Sequence, residues 1–176
     1  TYRSPGQASI FTYASGSSAD GPHARFSPQA SYYWNNFGVL AEYVSSNQEV
    51  VRGALSDKFE NDAWQLLVSY VLTGEDASYK GIAPRKPFGV DESWGAFELV
   101  GRYHTLDLDE SIFARGFASR NTSVSAAEAW GIGVNWYLNR NLKVMLDYER
   151  TAFTDGAVLG DRETENAILT RFQIIY

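Results

Sequence analysis

Apolar and polar residues alternate with period two along most of this chain. Counting back from the C-terminus, Tyr176, Ile174, Phe172, Thr170 and Ile168 form one nearly apolar face, while Gln173 and Arg171 share the other with Ile175, Leu169 and Ala167. At 63–73 Trp64, Leu66, Val68, Tyr70 and Leu72 oppose Gln65, Leu67, Ser69 and Val71. The pattern recurs at 37–46, at 94–106 (Phe97, Leu99, Gly101 and Tyr103 against Glu98, Val100, Arg102 and His104), at 128–138 and from Leu142 to Glu149. Period two is the signature of a strand with unlike faces. Helix competes at 63–73, but the alternating aromatic and β-branched residues there favour strand. A segment at 24–34 puts Phe26, Ala30, Tyr32 and Trp34 opposite Arg25, Ser27, Gln29, Ser31 and Tyr33, with Pro28 marking an edge or bulge. A weaker strand falls at 7–14. The total is about eight strands, each near the ~9–11 residues that a tilted membrane strand needs.

The expected fold is all-β, an antiparallel transmembrane β-barrel in one domain over 1–176. A barrel has no free edge and tolerates a chain that ends on an aromatic residue in mid-strand, where a soluble edge strand would fray or be blunted. Connection lengths point the same way. Asn35-Asn36 and Asn139-Arg140-Asn141 make short turns on the side where the chain ends, while 107–127 and 153–164 make long connections on the other, as in outer-membrane barrels. The twenty or so residues at 74–93 depart from this pattern. A soluble carrier barrel fits the alternation equally well; the aromatic ending and the loop asymmetry weigh against it.

Composition narrows the classes. No run approaches the ~18 apolar residues of a membrane helix. Cysteine is absent, so thiolate chemistry and disulfides are too. A net charge of −6 argues against nucleic acid as a partner. The chain begins at Thr1 without an initiator Met, which reads as processing, truncation or a fragment.

The segments LTGEDASYKGIAPRKPF (72–88), WGAFELVGRY (94–103), WGIGVNWYLNRNLKVMLDYERTAF (130–153) and RFQIIY (171–176) resemble the C-terminal portion of the phosphate-selective porin O and P family. The long connection at 74–93 is itself part of the family pattern. The resemblance implies the last eight strands of a homotrimeric barrel of about sixteen strands. It also implies a bilayer and lipopolysaccharide environment, the barrel assembly machinery as a partner, and uptake of small anionic solutes such as phosphate. A self-contained eight-stranded barrel with a filled, non-conducting interior is the alternative.

Charge on the polar face is where function would lie, since Lys or Arg facing lipid costs ~2–4 kcal/mol at mid-membrane. By alternation, the candidate pore-lining residues are Arg25, Glu42, Glu98, Arg102, His104, Lys143, Asp147, Glu149 and Arg171. They could select solutes or simply pair across strands. Arg102, Lys143 and Arg171 suit an anion best. Phe172, Ile174 and Tyr176 form a candidate assembly signal in the final strand. Asp107, Asp109 and Glu110 could hold a divalent cation but read first as an acidic loop. Gly131-Ile132-Gly133 lies inside a strand and is no nucleotide loop. Trp64, Trp94, Trp130 and Tyr148 could stack on sugars or form an interfacial girdle. No catalytic arrangement, cofactor site or metal site emerges.

Overall fold

The computed structural model describes residues 1–174. In chain order its elements are β1 (Tyr2–Arg3), β2 (Ser9–Phe11), β3 (Ser17–Phe26), β4 (Gln29–Trp34), β5 (Phe37–Arg52), β6 (Leu55–Val71), β7 (Ala96–Asp107), α1 (Glu110–Ala114), β8 (Val124–Asn139), β9 (Leu142–Ala157), β10 (Gly160–Asp161) and β11 (Glu165–Ile174). From β5 to β9 each strand pairs antiparallel with the next. At one edge β3 and β4 lie end to end along β5; at the other β10 and β11 lie end to end along β9. Among the described residues the sheet is open, since neither edge pairs with the other.

Two expected connections turn out to be strand. Residues 47–62 continue β5 and β6 to a tight turn at Gly53-Ala54, and β9 runs on to Ala157, so the 153–164 connection shrinks to a turn at Val158-Leu159 and the short β10. At 16 and 17 residues, β5 and β6 reach ~55 Å, far beyond the ~25 Å of an apolar membrane band. Hydrophobic alternation cannot report these extensions, because beyond the band both faces carry polar groups: Glu49, Lys58 and Glu60 outside, Gln48 and Asn61 inside. The break at Ser27-Pro28 separates β3 from β4 on an edge, and Pro28 keeps a ladder contact only as acceptor, from the Tyr43 N–H at 3.1 Å.

The first expected strand, 7–14, does not join the sheet. Its three strand residues pair with Tyr2–Arg3 in a separate hairpin. Ile10 and Phe11 are both buried although adjacent, which alternation forbids for a wall strand. Phe11 packs with Val50 and Phe59 from the sheet and with Leu108, Ile112 and Phe117 around α1. This cluster holds the hairpin and α1 against one face, the inner face. The inner face is therefore apolar at this end rather than charged throughout.

At the opposite end the 72–95 segment forms a strap around the rim. Ala77 and Ile82 pack inside against Val71, Ala96 and Tyr137. The chain then crosses the sheet end, where the Phe88 N–H donates to the Leu138 carbonyl at 2.7 Å. Outside, Phe88 and Trp94 gather on Trp136, which stacks on Phe97 at 5.9 Å. Gly95 permits the re-entry into β7: its φ is +80°, and a Cβ there would lie 2.2 Å from the Tyr137 carbonyl oxygen. Gly95→Ala should therefore cost about 2–4 kcal/mol in denaturant unfolding from detergent. Gly101→Ala, with nothing within 4 Å of its Cβ, should stay within about 0.5 kcal/mol of the parent. Equal effects would refute this account of the rim.

Candidate functional site

Register converts the alternation into two surfaces. Tyr32, Val39, Val68, Gly101, Ile132, Tyr148 and Ile168 stand opposite one another across successive strands and share the outer face. The next row, Ser31, Leu40, Leu67, Arg102, Gly131, Glu149 and Ala167, lies on the inner face.

On the outer face, aromatic residues gather at two levels. Trp64 meets Tyr103 at 5.3 Å and Trp130 meets Tyr148 at 5.6 Å, nearer the α1 end. Phe97, Trp136 and the strap residues Phe88 and Trp94 cluster near the opposite rim. Between these levels the exposed side chains include Val68, Tyr70, Leu99, Ile132, Val134, Leu146 and Ile168, with Thr170 on the β11 edge. From Trp64 to Leu72 the strand covers ~27 Å, or about 20 Å across a membrane at ~40° tilt.

Behind this band the inner face is polar. All nine charged candidates fall on it, since each occupies an inner row of the register. Their surroundings differ. Glu149 is buried and takes Arg102 Nη2 on Oε2 at 2.5 Å and His104 Nε2 on Oε1 at 2.6 Å. Glu98, also buried, accepts from Asn135 Nδ2 and Tyr137 Oη, both at 2.8 Å. Glu42 accepts from Ser27 Oγ at 2.9 Å and Gln65 Nε2 at 2.8 Å. Lys143 Nζ sits 5.1 Å from the centre of the Tyr137 ring. Arg25 and Arg171 make no ion pair among the described residues, and Arg171 lies on the edge strand β11.

Glycines make room for this layer. Gly133 faces Asp147 in the register, and a Cβ there would coincide with the Asp147 carboxylate, 1.9 Å from Oδ1. Gly131 faces Glu149, and a Cβ there would press first on the Tyr148 carbonyl oxygen at 3.2 Å. These two glycines belong to the strand-borne Gly131-Ile132-Gly133 triplet, and their role becomes visible only once the register names their partners. Gln65, Asn135 and Tyr137 were likewise passed over, being uncharged; their signal was their parity with Glu42 and Glu98. A cavity of about 300 Å³ separates the strap from the wall, lined by Lys80, Glu98, Asn135, Tyr137, Arg140 and Lys143 among others.

A family model, phosphate-selective porin O and P, matches residues 7–176. The chain belongs to that family. Membership places it in the bacterial outer membrane. Porin O of Pseudomonas aeruginosa is 26% identical over 145 residues, which are 80% of this chain and 32% of that protein. The chain thus spans about a third of the length of that curated relative.

The remaining sequence candidates separate. Asp109 caps α1, accepting from the Ser111 N–H at 2.9 Å, and Glu110 pairs with Arg120, which also binds Asp155; Asp107, Asp109 and Glu110 do not form a cation site among the described residues. Burial works to raise the Asp109 carboxyl, but hydrogen bonds from Ser111 and the Glu60 N–H outweigh it and hold it below the ordinary range. His23 bonds Ser46 at 2.9 Å, whereas His104 is held by Glu149. Phe172 and Ile174 sit exposed on the outer face; Tyr176 lies outside the described residues.

Glu75 anchors the strap. Burial alone would raise its carboxyl, but hydrogen bonds from the Thr73 hydroxyl and the Arg85 N–H, with the Arg85 charge, bring it below the ordinary value. A depressed carboxylate stabilises the fold fully above its unfolded value of ~4.3, and that contribution is lost as pH falls through the folded value. Proteolysis within 76–92, by proteases active across the range and normalised at each pH to an unfolded substrate, should accelerate below about pH 4 in the parent. Glu75→Gln should already be cut faster at neutral pH, with a flatter pH dependence. A parent profile flat from neutral pH to ~3 would show that Glu75 does not hold the strap.

Proposed function

We propose that this chain forms part of the wall of a passive outer-membrane channel for small solutes. One observation carries the reading: an apolar band bounded by two aromatic levels on the outer face, with charged rows directly behind it on the inner face. In this reading the outer band meets lipid and the polar rows line water. The free edges at β3/β4 and β11 pair with further strands of a barrel of about sixteen, assembled as a trimer. The hairpin and α1 narrow one mouth, and the strap narrows the other. A self-contained filled barrel has no support, because the two edges do not pair with each other. Family membership favours transport over catalysis. Phe172 and Ile174, with Tyr176, serve as the recognition signal for the assembly machinery.

The charge pattern supports a preference for small anions resting on few residues. Arg102 is neutralised by Glu149, whereas Arg171 has no acidic partner among the described residues and Lys143 rests on an aromatic ring. These two are the anion contacts. The family description extends the reading to phosphate.

Two measurements test it. Ile132→Lys, at the centre of the outer band, should cost ~2–4 kcal/mol in refolding into bilayers, while Asn166→Lys on the same face, level with Trp130 and beside Arg150, should cost ~0–1 kcal/mol. Equal costs would remove the membrane from this face. In the full-length porin, Arg171→Glu should lower the anion-to-cation permeability ratio measured from reversal potentials across a salt gradient. An unchanged ratio would exclude Arg171 from the conducting path.

A further inference from the structure

The Arg102–Glu149–His104 group is built with more care than a lining ion pair needs. Glu149 is 3% exposed, whereas the Arg102 and His104 side chains above it are 38% and 28% exposed. Each carboxylate oxygen has its own donor, so the acid has no free oxygen to offer a passing cation. Three elements converge: β7 supplies both donors two residues apart, β9 supplies the acid, and β8 between them supplies Gly131, the residue the pair crosses. Arg102 and Glu149 are not neighbours on adjacent strands. They reach one another across β8, over a glycine.

We infer that Glu149 is a selectivity-determining residue of this wall, cancelling the Arg102 charge from beneath. The inference rests on the channel reading above. An anion passing mid-wall meets at Arg102 a neutral pair rather than a free guanidinium, and the cations left to it are Arg171 and Lys143 nearer the strap, the latter facing Glu98 and Asp147. The arrangement also explains how a cation can be retained without binding anions strongly. A lone buried carboxylate would be costly, so each partner keeps the other in place.

The test is a charge cycle in the full-length porin, reconstituted into planar bilayers under a potassium chloride gradient. Glu149→Gln keeps the shape and one acceptor but removes the negative charge, exposing Arg102. The anion-to-cation ratio should rise about two- to threefold, the Boltzmann factor for one unit charge met at ~7 Å in water. Arg102→Gln should lower the ratio by a similar factor, and the double variant should return close to the parent. Heat-modifiable mobility on gels reports which variants are folded. If Glu149→Gln fails to fold, Arg102→Gln still decides, because a clamp requires its ratio to fall while a merely structural pair leaves it unmoved. Single variants that shift in the same direction, or a conducting parent in which neither shifts, would overturn the clamp. A parent that forms no channels would overturn the channel reading beneath it.

Discussion

Everything in this structure depends on strand register. Because successive side chains point to opposite faces, a slip of one residue between β7 and β8 would carry Glu98, Arg102 and His104 to the outer face and bring Leu99 and Tyr103 inward. With lipid on one side and charge on the other, such a slip is prohibitively costly. The backbone ladder therefore satisfies the peptide groups and sorts the side chains in one operation. The long meander from β5 to β9 is held in line less by any contact than by the unlike demands of its two surfaces.

This explains which features were legible in the sequence. Where the two faces differ in polarity, at 37–46, 63–73, 94–106 and 128–149, strands and their orientation follow directly from alternation. Where the faces become alike, the signal fades. Strand continues through Ser45–Arg52 and Leu55–Asp62, but polar residues on the outer face hide it. The reverse failure occurs at 7–14, where Ile10 and Phe11 look like wall residues and instead fill the space between wall and α1. An apolar pair pressed from both sides has no reason to alternate.

The charged site was half legible. Parity alone assigns all nine residues to one face, but parity cannot say which carboxylate meets which cation. Glu149 reaches Arg102 across an intervening strand, over a glycine that the register places between them. The strap was visible as a long connection, yet its path from Ile82 inside to Trp94 outside depends on contacts with Tyr137 and Trp136, far away in sequence. Gly95, where the path returns to the sheet, gives no warning of how little room it has.

Gly131 and Gly133 have a consequence for the dimensions of such a wall. A charged side chain standing on a strand normally projects several ångströms into the space beyond. Here Asp147 lies over the bare backbone of Gly133, and Glu149 reaches across Gly131 to Arg102, so these two acids take up little of that space. These two carboxylates sit low against the sheet, like inlay rather than relief, while Arg102 and His104 stand more exposed above them. A side chain at Gly133 would displace the Asp147 carboxylate, so at that point of the wall shape and field change together.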